Sequence, residues 1–121
     1  MTIEIVHLGK IAYARSGDKG SSANVGVIAY NSQAYEFLLD YLTAEKVHEY
    51  FLPLAPRKTT RYELSNLWAL NFVLEGVLAG GGSQSLRYDS QGKALGQALL
   101  EMPIEIPTQI LYRCCYEGEI Q

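Results

Sequence analysis

Between residues 33 and 51 the apolar positions Ala34, Phe37, Leu38, Tyr41 and Leu42 recur at helical spacing, while Glu36, Asp40, Glu45 and Glu49 fall elsewhere. This pattern predicts an amphipathic helix. Thr43, ahead of Ala44 and Glu45, is placed to cap a second short helix, and Pro53 and Pro56 stop the segment. Upstream, residues 8–14 and 25–30 read as strands, which predicts a hairpin with a wide polar loop from Arg15 to Asn24. Thr59 to Leu64 reads as another strand. In the next run Leu67, Trp68, Ala69, Leu70, Phe72, Val73, Leu74, Val77 and Leu78 leave only Asn66, Asn71 and Glu75 polar. It predicts a helix over 66–79, capped by Ser65 and closed by Gly80-Gly81-Gly82. Apolar on nearly all sides, such a helix is either sandwiched inside the protein or faces a partner, and in so short a chain a subunit interface is favoured.

Residues 84–88 could add a strand, and Asp89-Ser90-Gln91-Gly92 signals a turn. A third helix is predicted over 93–101 with Leu95, Leu99, Ala98 and Met102 inward. Residues 104–116 read as extended, limited to edge-like pairing by Pro103 and Pro107. The order of elements predicts an α+β sandwich, with an antiparallel or mixed sheet and helices on one face. At 121 residues the chain is expected to form one domain, 1–121.

Hydrophobic residues make up 48% and charged residues 19%, the balance of a folded globular chain. A net charge of -3 argues against a nucleic-acid binder that works through bulk positive charge. The cations are local: Arg15, Lys19, Arg57, Lys58, Arg61, Arg87 and Lys93 lie in or beside polar segments. No apolar run approaches the ~20 residues that span a membrane, and the start has no secretory signature, so a cytoplasmic location is expected. Cys114 and Cys115 are adjacent, a spacing unsuited to a disulfide or a zinc site. They are expected to be reduced packing residues on opposite faces of a strand.

Four polar clusters could hold chemistry: Arg15 to Asn24, with Ser16, Gly17, Asp18, Lys19 and Gly20; Arg61 to Asn66, running into Asn71; Gly80-Gly81-Gly82-Ser83 with Ser85 and Arg87; and Asp89 to Lys93. Glycines let backbone N–H groups converge, and Arg and Lys supply charge, so a pocket built from these clusters suits a carboxylate, a phosphate or a thioester-bound acid. The candidate ligand contacts are Arg15, Ser16, Asp18, Lys19, Asn24, Arg61, Asn66, Asn71, Gly81, Gly82, Arg87 and Lys93. Dull alternatives stand beside them. Arg61 and Glu63 share a strand face and could pair with each other, Asp18 could pair with Arg15 or Lys19, and one glycine of the triplet could be only a helix C-cap. No phosphate-binding loop, dinucleotide fingerprint or nucleophile elbow is present. His7 and His48 read as structural or solvated. No metal or cofactor is expected. Any acid/base role falls to Asp18, Glu63 or Asp89.

Taken together, Ala14 to Gly20 with Ala23 to Ala29, then Arg61-Tyr62-Glu63-Leu64, Asn66-Leu67, Ala69 to Leu74, Gly80-Gly81-Gly82, Ser85-Leu86-Arg87 and Asp89 with Gln91-Gly92-Lys93 resemble the C-terminal domain of AtuA-type acyclic terpene utilization proteins. The resemblance runs over roughly residues 8–107. It departs from the family's pattern at Ser21-Ser22 and at Ser65. The resemblance implies a ferredoxin-like α+β domain that usually follows a larger N-terminal domain and also occurs as a separate small chain. It further implies a link to catabolism of acyclic terpenes through coenzyme A thioesters of branched acids, in a hydration, lyase or isomerisation step. The expected partners are therefore a larger AtuA-like subunit, a second copy of the chain, and a small anionic ligand or acyl thioester. Two other readings stay open: a homo-oligomeric module that binds an anion without chemistry, and a structural assembly subunit.

Overall fold

The computed structural model describes residues 2–77 and 94–117. Six strands are described: β1 (Ile3–His7), β2 (Ala12–Lys19), β3 (Ser22–Ala29), β4 (Lys58–Leu64), β5 (Ala69–Glu75) and β6 (Pro103–Pro107). The helices are α1 (Ser32–Tyr41), α2 (Ala44–Tyr50), α3 (Ala94–Leu100) and α4 (Thr108–Tyr112). Strands β2, β3, β5 and β4 form a four-stranded sheet in that order, and β1 pairs with β6 in a separate ribbon. Every described pairing is antiparallel. Among the described residues the arrangement is an α+β sandwich: α1, α2 and α3 pack on one face of the larger sheet, and α4 packs against α1 and β6.

The polar segment from Arg15 to Asn24 is not a wide loop. Strands β2 and β3 pair through it, from Arg15 opposite Gly26 to Lys19 opposite Ser22, leaving Gly20 and Ser21 as the connection. Gly20 makes the tight turn at φ 64, a left-handed conformation that glycine adopts without steric cost. The strand predicted at 8–14 is shifted likewise: Leu8–Lys10 is a 3₁₀ turn and β2 starts at Ala12.

The helix predicted over 66–79 is a second correction. Ser65–Leu67 is a single 3₁₀ turn, and residues 69–75 are the strand β5, between β3 and β4. Trp68 reverses the chain in a left-handed conformation, φ 53, secured by its amide on the Ser65 carbonyl and its carbonyl on the Ala29 amide. Asn71 and Glu75 are four residues apart, a spacing that fits one face of a helix and equally one face of a strand. Alternation decides the matter: Leu70, Phe72 and Leu74 are fully buried, while Asn71, Val73 and Glu75 are not. The predicted strand at 84–88 and the glycine triplet lie outside the described residues.

The expected break at Thr43 is present, with the Thr43 hydroxyl accepting the Lys46 amide at 3.1 Å. Helix α3 occupies most of its predicted span and buries Leu95 and Leu99. The extended reading of 104–116 holds only to Pro107. Beyond it the chain turns into α4 and a π-helical turn, Arg113–Glu117. Cys114 and Cys115 therefore do not oppose each other across a strand; both are buried thiols beneath α1 and the Lys10 turn, with the Cys115 Sγ on the Lys10 carbonyl. Burial, and then the neighbouring Cys115, push the Cys114 thiol up to about 11 from 9.0. The native state thus holds this proton more tightly than the unfolded chain, and the stability tied to it is intact below pH 9.0 and lost as pH climbs toward 11. Iodoacetamide at pH 9 is expected to label Cys114 slowly in the native chain and rapidly in denaturant, as read by peptide mass spectrometry.

The core lies between the larger sheet and the helices. It contains Val25, Val27, Leu70, Phe72 and Leu74 from the sheet, and Leu38, Leu42, Leu95 and Leu99 from the helical side. Ile104 and Ile106 of β6 close it from the ribbon. Asn31 fastens two parts of this layer. Its Oδ1 caps α1 at the Ala34 amide (2.9 Å), and its Nδ2 donates to the Cys114 carbonyl (2.9 Å). Asn31→Ala removes both and is expected to destabilise by about 1–3 kcal/mol in urea denaturation.

Candidate functional site

Side chains alternate across a strand, so the register sorts the sheet into two faces. One face meets the helices. On the other, which no described helix covers, three rows of residues run across β2, β3, β5 and β4. The first row is Tyr13, Ile28, Ala69 and Leu64; the second Arg15, Gly26, Asn71 and Tyr62; the third Gly17, Asn24, Val73 and Thr60.

The centre of this open face is polar. The Asn24 carboxamide donates through Nδ2 to the Asn71 Oδ1 at 3.2 Å. Two glycines lie beside the pair. A Cβ at Gly17 would sit 3.4 Å from the Asn24 Oδ1, and one at Gly26 3.7 Å from the Asn71 Oδ1. Without side chains, they leave a floor on which a ligand can approach the carboxamides. Arg15 is exposed and flanks Gly26 on the side away from Asn71, so its Cα and that of Asn71 are roughly 10 Å apart, two strand spacings. A groove of about 580 Å³ starts at this centre and is lined by Ser22, Ala23, Asn24, Asn71, Val73 and Glu75. The end of the face beyond the first row is aromatic and apolar. Tyr13 and Tyr30 stack with ring centroids 5.7 Å apart, and Leu64, Leu67 and Trp68 are exposed nearby.

The structure therefore brings three of the sequence candidates together: Arg15, Asn24 and Asn71. Others face the helix layer. The Ser16 hydroxyl accepts the Gly96 amide at 3.1 Å, in the first turn of α3. Arg61 donates through Nη1 to the carbonyls of Leu39 and Leu42, each at 2.9 Å, closing the C-terminal end of α1. Its Nη2 pairs with Glu63 at 2.9 Å. Arg61 and Glu63 are thus engaged in holding α1 on the sheet edge. Asn66 is exposed on the 3₁₀ turn beyond Leu64, at the aromatic end. Asp18 and Lys19 are described by backbone pairing alone, with Ala23 and Ser22. Gly81, Gly82, Arg87, Asp89 and Lys93 lie outside the described residues. Of the two histidines, His48 bonds through Nδ1 to the Thr59 hydroxyl at 2.8 Å, and His7 is exposed on the ribbon opposite Pro103.

Sequence reasoning missed Gly26, Val73 and Glu75 as members of this face, and held Tyr62 only as part of the Arg61 to Asn66 cluster. The signal was available for β5 in the alternation of Leu70, Phe72 and Leu74 with Asn71, Val73 and Glu75. A second groove, about 360 Å³, lies between α1 and α4 and is lined by Gln33, Glu36, Phe37, Asp40, Tyr41, Ile110 and Arg113. Its two carboxylates against one guanidinium make it a poor host for an anion.

The AtuA ferredoxin-like domain family model matches residues 6–105, across all of the sheet just described. The chain belongs to the AtuA ferredoxin-like domain family. Comparison with curated proteins and with solved structures gave no match. The family match agrees with the α+β architecture and its antiparallel sheets. No described helix is long and apolar enough to cross a membrane.

Proposed function

We propose that this AtuA ferredoxin-like domain is a binding subunit in the cytoplasm whose open sheet face holds a branched carboxylic acid or its thioester. The observation behind this reading is the grouping of Arg15, Asn24 and Asn71 around the Gly17–Gly26 floor, on a face no described helix covers. The guanidinium supplies the charge and planar donors that a carboxylate or the oxygen of a thioester accepts. Asn71 and Asn24 supply neutral donors beside it. In this reading the domain completes a site on a larger AtuA-like chain. The Tyr13–Tyr30 stack with Leu64, Leu67 and Trp68 gives that partner an apolar surface to cover, since aromatic residues are favoured at interface centres.

The larger chain, once seated, would contribute the reacting groups for a hydration, lyase or isomerisation step. A tagged pull-down from native cells, followed by mass spectrometry, tests this directly. A larger AtuA-like chain in stoichiometric amount is expected, and Tyr13→Asp with Trp68→Asp should release it. Elution of the chain as a homo-oligomer, with the same ligand bound by the oligomer alone, would move the reading to a self-contained anion-binding module.

A further inference from the structure

The Asn24–Asn71 pair offers more than a carboxylate can use. Each carboxamide carries two N–H donors and an oxygen with two lone pairs. The contact between them engages one donor of Asn24 and one lone pair of Asn71. The Asn24 Oδ1 is left above Gly17, where no side chain intervenes. Acceptor and donors thus stand side by side at the centre of the face. A carboxylate has no hydrogen to give and leaves the Asn24 oxygen unpaired when it covers it, whereas a secondary amide supplies both an N–H and a C=O.

The charges along the face orient such a ligand. Arg15 stands one strand over and two residues along from Asn24. In the other direction the groove runs past Val73 to Glu75, whose carboxylate disfavours an anion there. At about 580 Å³ the groove holds far more than an acid group.

We infer that this face recognises a small molecule with a secondary amide, its N–H on the Asn24 Oδ1 and its anionic or carbonyl end toward Arg15. This rests on the binding reading above and chooses between the forms of acid it leaves open: an amide-bearing conjugate rather than the bare acid. The amide could come from an N-acyl amino acid or from the thiol arm of a thioester.

Isothermal titration calorimetry on the full chain tests the inference. The probes are N-isovaleryl-β-alanine, the ester in which oxygen replaces its N–H, S-isovaleryl-N-acetylcysteamine, and isovalerate. The amide acid is expected to bind about tenfold or more tightly than its ester, because a site built around a hydrogen bond rejects the analogue that lacks it. Asn24→Ala should bring that ratio close to one with an unchanged Tm, and Asn71→Ala should do the same. Whichever of the amide acid and the thioester probe binds more tightly with this Asn24 dependence identifies the source of the amide. Equal affinity for amide and ester, both lost in Arg15→Ala, would overturn the inference while leaving the carboxylate site standing. No binding by any of the four probes would overturn both.

Discussion

Replacing Phe72 with alanine is expected to destabilise the fold by about 3–5 kcal/mol, a large part of the ~5–15 kcal/mol that holds a domain of this size together. Phe72 is the largest fully buried side chain among the described residues, at 0% exposure. It sits in the middle of β5, with Val25 opposite on one side and Arg61 on the other. Truncation there opens a cavity between the sheet and its helices, and strands on both sides keep the backbone from collapsing into it. The loss in Tm should be on the order of 10–20 °C. Leu67→Ala, five positions earlier and 63% exposed, should change stability by no more than about 0.5 kcal/mol. Equal losses for the two variants in urea denaturation would contradict the placement of this segment as a central strand.

Arg15→Ala should act in the opposite way, on binding and not on folding. Arg15 is exposed on the open face, and its side chain makes no ion pair with any described residue. Its loss is expected to weaken binding of a branched carboxylate about 10- to 100-fold, the range for a hydrogen bond to a charged group. Tm should stay within a degree or two of the parent chain, as for other surface substitutions, which change stability by no more than about 0.5 kcal/mol. Arg61→Ala provides the contrast. Arg61 holds two carbonyls at the end of α1, so its removal should lower Tm. A fall in Tm for Arg15→Ala that tracked the loss of affinity would make Arg15 a structural residue.

Much of the fold was legible because several local signals agreed. The α1 stripe of Ala34, Leu38 and Leu42, the Thr43 cap and the inward Leu95 and Leu99 all follow from one period and one cap rule. The β5 segment was illegible for a physical reason. A central strand packed on one face by helices, with Val73 and small Ala69 on the other, is apolar at most positions, and its two polar residues are four apart. Period alone cannot separate helix from strand there; the left-handed Trp68 and the pairing with β3 do. The C-terminal segment failed differently. Pro107 marks the end of β6 and the entry to α4, whereas the sequence pattern carried the strand through it.

The candidate site was legible as a set of residue types and not as a place. Arg15, Asn24 and Asn71 stood out for their chemistry. Ser16 looks equivalent to Arg15 in the sequence, yet it is one residue along a strand and so lies on the helix-facing side, bonded to Gly96. A polar run reads as a loop until pairing is known, and pairing is long-range: Asn24 meets Asn71 only because β3 and β5 are neighbours. The vicinal cysteines were legible as thiols but not as parts of a π-helical turn.

The most direct test of the open face as the binding surface is a two-dimensional NMR titration of the ¹⁵N-labelled full chain with isovalerate. The expected shifts gather on Arg15, Gly17, Asn24, Gly26 and Asn71, with the Asn24 and Asn71 side-chain amides among the largest. Shifts gathered instead on Gln33, Phe37, Tyr41 and Arg113, in the groove between α1 and α4, would contradict the account.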